Sequence, residues 1–294
     1  MQQNPDDGRP HTPLVLYANL HSMKVAVILC FYLMLCAPQN CCAQWPNAEP
    51  GMQQYAMAQT ALNTGERWQA WYNPARLALA DGSAWRISAS FQKPFFAHPL
   101  DQQSLGVEKQ WNRQSAGGGL ILQQLPGMQH WNIYGGYGRQ LHKRVALGLR
   151  MLWRSGEVPS ENWRFSEFRM ALFGSYQWTS HLLFSFGLEG LHYSEEEFLP
   201  AAPTLKWGVG WDISPEQRLG LENSLEGVLG NRWQLGYQWR LSERMQLMAG
   251  LAALPLQLSW GFGYQWGPLE CTFAGAWSPT LPAGIGMEWS YEPQ

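Results

Sequence analysis

The sequence predicts an all-β fold, a 14-stranded antiparallel up-and-down transmembrane β-barrel. Three observations lead there: an unusual composition, a secretion signal, and period-two alternation through most of the chain. Charged residues make up 14% of the 294, against about 25% in ordinary soluble domains. Hydrophobic residues reach 46% while mean hydropathy is only −0.29, which does not describe a bundle of apolar helices. The chain carries 17 Trp, 11 Tyr, 12 Phe and 30 Gly. So many aromatics and so few charges exclude a disordered protein. A net charge of −2 without a basic run argues against a nucleic-acid binder. Low charge, many aromatics and many glycines together suit a barrel whose outside meets lipid.

The N-terminal part reads as a targeting segment. In Met23 to Ala43, Lys24 supplies a short positive region and Val25 to Leu35 an apolar one, and small residues end it at Cys41-Cys42-Ala43. Cleavage is predicted after Ala43. The apolar stretch is too short for a membrane helix, which needs about 20 residues. A lipoprotein signal is the alternative, but the residues before Cys36, Cys41 and Cys42 match a lipoprotein box poorly. Residues 1–22 carry Asp6, Asp7 and three prolines, so Met23 is the expected start. Only Cys271 lies beyond the signal, which excludes a disulfide scaffold. The predicted organisation is leader and signal over 1–43, a non-alternating segment over 44–80 and a barrel over 81–294.

From Trp85 to Tyr291 apolar and small or polar residues alternate. Val145, Leu147, Leu149, Met151 and Trp153 are interleaved with Ala146, Gly148, Arg150, Leu152 and Arg154. Leu256, Leu258, Trp260, Phe262, Tyr264 and Trp266 are interleaved with Gln257, Ser259, Gly261, Gly263 and Gln265. Successive side chains of a strand face opposite sides, so one face is apolar and aromatic and the other small or polar. A secreted sandwich would alternate too; the Trp and Tyr at strand ends favour the girdles of a membrane barrel. Strand centres are predicted near residues 87, 107, 120, 134, 149, 171, 186, 208, 221, 237, 248, 261, 273 and 287. Tight turns are expected around 141–144, 178–181, 214–217, 241–244 and 266–268, and longer links at 93–100, 154–162 and 194–203. Short turns face the periplasm and longer loops the outside in such barrels.

Residues 44–80 do not alternate. Met52 to Ala61 has helical composition, broken by Asn63-Thr64-Gly65. Trp71-Tyr72-Asn73-Pro74-Ala75 then reads as an Asn-Pro turn opening a short helix with Pro near its first position. A secreted chain with Trp-Tyr-Asn-Pro-Ala-Arg-Leu-Ala just before the first strand resembles the FadL-like outer-membrane superfamily. The stretch WYNPARLA followed by WRISASFQKPF, and the C-terminal GIGMEWSY, look most like the PorV/PorQ-type barrels associated with type IX secretion. The resemblance implies fourteen strands and an N-terminal luminal plug around Trp71, Tyr72, Asn73, Pro74 and Ala75. The chain departs from that family in its shortness and in having Asn63-Thr64-Gly65-Glu66-Arg67 where a glycine-rich stretch is usual.

Arg86, Arg150, Arg154, Lys206, Asp212, Arg218, Glu222, Glu226, Arg232, Arg240, Glu270 and Glu288 fall on the small or polar face and are expected to line the lumen. Both signs occur, so they are expected to pair across strands, filling a plugged or narrow lumen. No HExxH, GxSxG, P-loop or complete GxGxxG occurs, and no cofactor or metal is expected. The expected function is non-enzymatic: passage of a hydrophobic small molecule, or accessory work with secretion-machinery proteins, in contact with outer-membrane lipid. A closed adaptor barrel is the alternative. An outer-membrane hydrolase using His192 with Ser194, or His181 with Ser180, is a third reading.

Overall fold

A computed structural model describes residues 49–64, 66–80, 85–93, 101–125, 127–158, 162–194, 203–226, 230–253, 256–279 and 283–293. The predicted signal, the cleavage point and most of the longer links lie outside these residues. Fourteen antiparallel strands form a closed barrel, each bonded to its sequence neighbours and the first to the last. They are β1 (Trp85–Lys93), β2 (Asp101–Trp111), β3 (Gln114–Leu125), β4 (Met128–His142), β5 (Val145–Val158), β6 (Trp163–Thr179) and β7 (Leu182–Ser194). The remainder are β8 (Thr204–Ser214), β9 (Gln217–Glu226), β10 (Gly230–Arg240), β11 (Met245–Ala253), β12 (Leu256–Trp266), β13 (Leu269–Trp277) and β14 (Gly284–Tyr291). Every predicted centre falls inside its strand.

Register follows from the alternation, because a slip of one residue would turn every side chain to the other face. On β12, Trp260 is 57% and Trp266 77% exposed on the outside, while Ser259, Gly261 and Gly263 are buried inside. Eleven residues from Leu256 to Trp266, rising about 3.4 Å each and tilted about 40°, span roughly the 25 Å of a barrel's apolar band. Trp207, Trp211, Trp239 and Trp289 are also exposed on that outer face. Trp233 shares it but is half-buried, because it meets Trp207 edge-on at 5.3 Å. At the end of the barrel that bears the tight turns, the outer wall carries Trp85, Tyr137, Tyr176, Trp178, Tyr264 and Tyr291.

Among the described residues three short helices precede the barrel: α1 (Met52–Ala56), α2 (Gln69–Tyr72) and α3 (Pro74–Leu79). The helix expected over 52–61 ends early. Ala58 and Gln59 take φ of 53° and 66°, in the left-handed region that breaks a helix. The chain turns there because Ser259 of β12 accepts from the Ala58 amide at 3.0 Å and Gln234 of β10 donates to the Ala58 carbonyl at 2.9 Å. Tertiary bonds override the local helical preference. The Asn-Pro turn forms as its residues suggest. Pro74 opens α3 and Asn73 caps it, accepting from the Arg76 amide at 3.3 Å.

Candidate functional site

The lumen is the candidate site, and residues 49–80 run through it. Met52, Met57, Trp68, Ala70, Asn73 and Ala75 are all buried to within 1%. The segment's contacts run round the ring. α1 packs on β11 to β14, and α3 on β3 to β6. Three inward glutamates each accept a backbone amide of the segment. Glu288 of β14 takes Met52 at 2.5 Å, Glu222 of β9 takes Leu62 at 3.1 Å, and Glu108 of β2 takes Ala70 at 2.6 Å. A carboxylate accepting an amide makes a stronger bond than a neutral acceptor, and it satisfies donors that short, irregular helices leave open.

Glycines form the complementary surface. A methyl group at Gly117 would lie 2.6 Å from Ala70 Cβ, one at Gly208 2.6 Å from Asn63 Nδ2, and one at Gly261 2.5 Å from Ala56 Cβ. At Gly136, Gly138, Gly148, Gly236 and Gly250 it would strike the backbone of the segment itself. The inner face is therefore glycine-rich because another backbone lies on it. Gly117-Gly118-Gly119 of β3 shows the same use. In the fold β3 pairs without a register shift on both sides, and its inward glycines make room for Ala70 and Tyr134.

The two halves of the lumen differ in chemistry. Against β3 to β6 the contact is apolar: Trp68, Trp71, Tyr72, Ile121, Tyr134 and Leu152 form one buried cluster, and Leu62, Ala75, Ala78, Ala146, Ala171 and Phe173 a second. Trp71 meets Tyr134 edge-on at 5.0 Å, a favoured aromatic geometry. Opposite, ion pairs accompany a third buried apolar cluster, Met52, Ala56, Met57, Met248 and Ala274. Arg67 pairs with Glu270 and, at 3.2 Å, with Glu288. Glu66 accepts from Arg240 at 2.7 Å and from Arg218 at 3.5 Å, and its carbonyl accepts from Arg86. Burial alone would raise the Glu66 carboxyl, but Arg218, Arg240, Arg76 and Arg86 together hold it below the usual carboxylate range. A cavity of about 560 Å³ opens beside Glu66 at the turn end, lined also by Arg240, Arg244, Gln246 and Glu270.

The expected plug residues come together. Asn73 is fully buried, and its Nδ2 donates to the Leu62 carbonyl at 2.9 Å and to Ser175 Oγ at 3.0 Å. Ser115 Oγ donates to the Pro74 carbonyl at 3.2 Å, and Arg150 donates to that of Trp71. Tyr72 Oη donates to the Pro50 carbonyl at 2.7 Å. Pairing across strands accounts for part of the luminal charge: Arg218 with Asp212, and Glu189 with Arg150 at 3.3 Å and Lys206 at 3.4 Å. Arg154 donates instead to Asn132, Arg86 also pairs with Glu292, and Arg232 lies inward opposite Ser224 with its Nε unpartnered. The Glu226 side chain lies outside the described residues. The expectation of strand-to-strand pairing needs correction for Arg240, Glu270, Glu222 and Glu288, which serve the inner segment. Sequence reading missed Glu66, Arg67, Glu108 and Glu189. For Glu108 and Glu189 the signal was parity, since each alternates with outward Val107 or Leu188. For hydrolysis, His181 and Ser180 sit in the exposed β6–β7 turn, with no hydrogen bond joining their side chains among the described residues; the side chains of His192 and Ser194 lie outside them.

No family model and no curated protein matches the sequence. Solved structures do. A monoaromatic hydrocarbon channel, CymD, superposes with a TM-score of 0.64 at 12% identity, over 85% of this chain and 99% of that one. The fold resembles that of hydrocarbon channels. The Pseudomonas putida toluene transporter TodX gives 0.63 at 10% identity, covering 84% and 98% of the two chains. A Pseudomonas aeruginosa FadL homologue gives 0.56 at 9% identity over 83% and 99%. At such identities the likeness is one of fold.

Proposed function

We propose that the protein is a non-enzymatic outer-membrane barrel of FadL type that passes small hydrophobic molecules, with residues 45–80 as a displaceable plug. The observation that carries this is the division of the lumen. A largely aromatic seam runs between the segment and β3 to β6, while the ion pairs of Glu66 and Arg67 with the wall lie on β9, β10, β13 and β14. Loosening the ionic side opens the aromatic side to an apolar solute without breaking the wall. The hydrocarbon channels of the same fold support the solute class. Targeting would follow cleavage near Ala43, and both chain ends would lie in the periplasm.

The test is uptake of labelled toluene by cells that lack their own hydrocarbon channels. Cells making the protein should accumulate it faster than cells without it. Arg67→Gln, which removes the contacts to Glu270 and Glu288, should raise the rate further. No uptake from either form would reject solute passage. A second reading, an adaptor barrel accessory to secretion in the manner of the PorV/PorQ-type proteins, is favoured by one observation: the segment reaches strands almost all round the ring, so the lumen is occupied. Co-purification of the intact protein with secretion-machinery proteins, in the absence of uptake, would favour it.

A further inference from the structure

The turn end of the barrel is electrically lopsided. Between Lys109 and Gly156 the chain contains no Asp or Glu. Five of the cations in that stretch gather at one arc of the rim: Lys109 at the end of β2, Arg113 in the β2–β3 turn, Arg139 near the end of β4, and Lys143 and Arg144 in the β4–β5 turn. All five are exposed. None forms an ion pair among the described residues, whereas Arg86, Arg218 and Arg240, elsewhere on the same rim, are paired with carboxylates. The arc is a continuous surface. Gln140 donates its amide to the Arg113 carbonyl at 2.8 Å and Gln177 donates to that of Arg144 at 2.8 Å, which ties the successive turns together. The one described carboxylate within it, Glu108, points inward to the Ala70 amide.

Where these cations point identifies the partner. Lys109 continues the outward row of Leu105 and Val107, and Arg139 the outward row of Ile133 and Tyr137. Both therefore project from the lipid-facing wall. Trp85 lies directly opposite Lys109 in register, and Leu141 and Trp178 are each 58% exposed beside the turns. Aromatic residues at this height mark the membrane–water interface. Cations set among them meet lipid headgroups, and unpaired cations there select anionic ones. We infer that Lys109, Arg113, Arg139, Lys143 and Arg144 form a docking surface for anionic phospholipid headgroups in the leaflet at the turn end.

The full chain, purified and reconstituted in phosphatidylethanolamine vesicles, tests this with spin-labelled phosphatidylglycerol and spin-labelled phosphatidylcholine as probes. The immobilised fraction of each label reports its association with the wall. The intact protein should prefer phosphatidylglycerol, and raised salt should weaken the preference. The triple variant Lys109→Gln, Arg139→Gln, Lys143→Gln should lower the preference by about fivefold or more, since a single interfacial cation contributes roughly that factor. Arg164→Gln at the loop end should leave it unchanged. Heat-modifiable electrophoretic mobility confirms that each variant is a folded barrel. Equal selectivity in the triple variant and the intact protein overturns the inference and leaves an acidic protein partner as the use of this charge. So does an intact protein with no preference.

Discussion

Asn73 joins the segment to itself and to the wall. Its Oδ1 caps α3, and its Nδ2 spans the Leu62 carbonyl and Ser175 of β6. Asn73→Ala removes all three bonds and leaves the Leu62 carbonyl without its side-chain donor, while Ser175 keeps Ser185 and the Arg76 amide keeps the backbone carbonyl of residue 73, at a cost of about 1–3 kcal/mol. That loss should fall on the segment and not on the barrel. Limited proteolysis should cut within residues 49–80 faster than in the parent, with heat-modifiable mobility unchanged. Glu66 makes a second prediction. A carboxyl held below its ordinary pKa contributes stability that is fully present above the ordinary value and lost as pH falls through the lowered one. Conductance in planar bilayers should therefore stay low at neutral pH and rise below the ordinary carboxylate range. Glu66→Gln should conduct more at neutral pH and respond less to acid. Equal acid responses in the two proteins would remove Glu66 from the contacts that hold the segment in the lumen.

At the scale of elements, adjacent glycines on opposite faces of β4 separate the wall from its contents. A side chain at Gly135 meets nothing within 4 Å on the outside, while one at Gly136 strikes Ala70 inside. Gly135→Val should leave conductance at the parent level. Gly136→Val should give a folded barrel that conducts, because the segment must leave the wall. The contrast also shows what was legible beforehand. Strands were, since alternation such as Leu256 to Trp266 is written in neighbouring residues. Glycine's role was not. Gly136 and Gly261 look alike in sequence, and both are small because segment residues Ala70 and Ala56 lie against them. The same distance hides the helix break at Ala58, whose bonds to Gln234 and Ser259 cross |i−j| of 176 and 201 residues.

At the scale of the whole molecule, the barrel is apolar outside and holds within it a chain fixed by carboxylates and glycines. Fluorescence with lipid-borne quenchers should show this in single-Trp variants. Trp260 and Trp266, exposed on the outer wall, should be strongly quenched, and Trp71, 6% exposed inside, should not. Reversed quenching would overturn the register. The Asn-Pro turn and the count of fourteen strands could be read from sequence. The partners of the luminal charges could not, because Glu222, Glu270 and Glu288 spend their charge on a segment that carries Arg67 and open amides. A lumen of this strand number is wider than side chains alone fill in eight-stranded barrels. We propose that the segment is what separates a closed barrel from a conducting one. Deleting residues 45–80 and recording single channels in planar bilayers tests that claim most directly. The account predicts a folded barrel with clearly higher ion conductance than the intact protein; a folded deletion variant that conducts no more than the parent would contradict it.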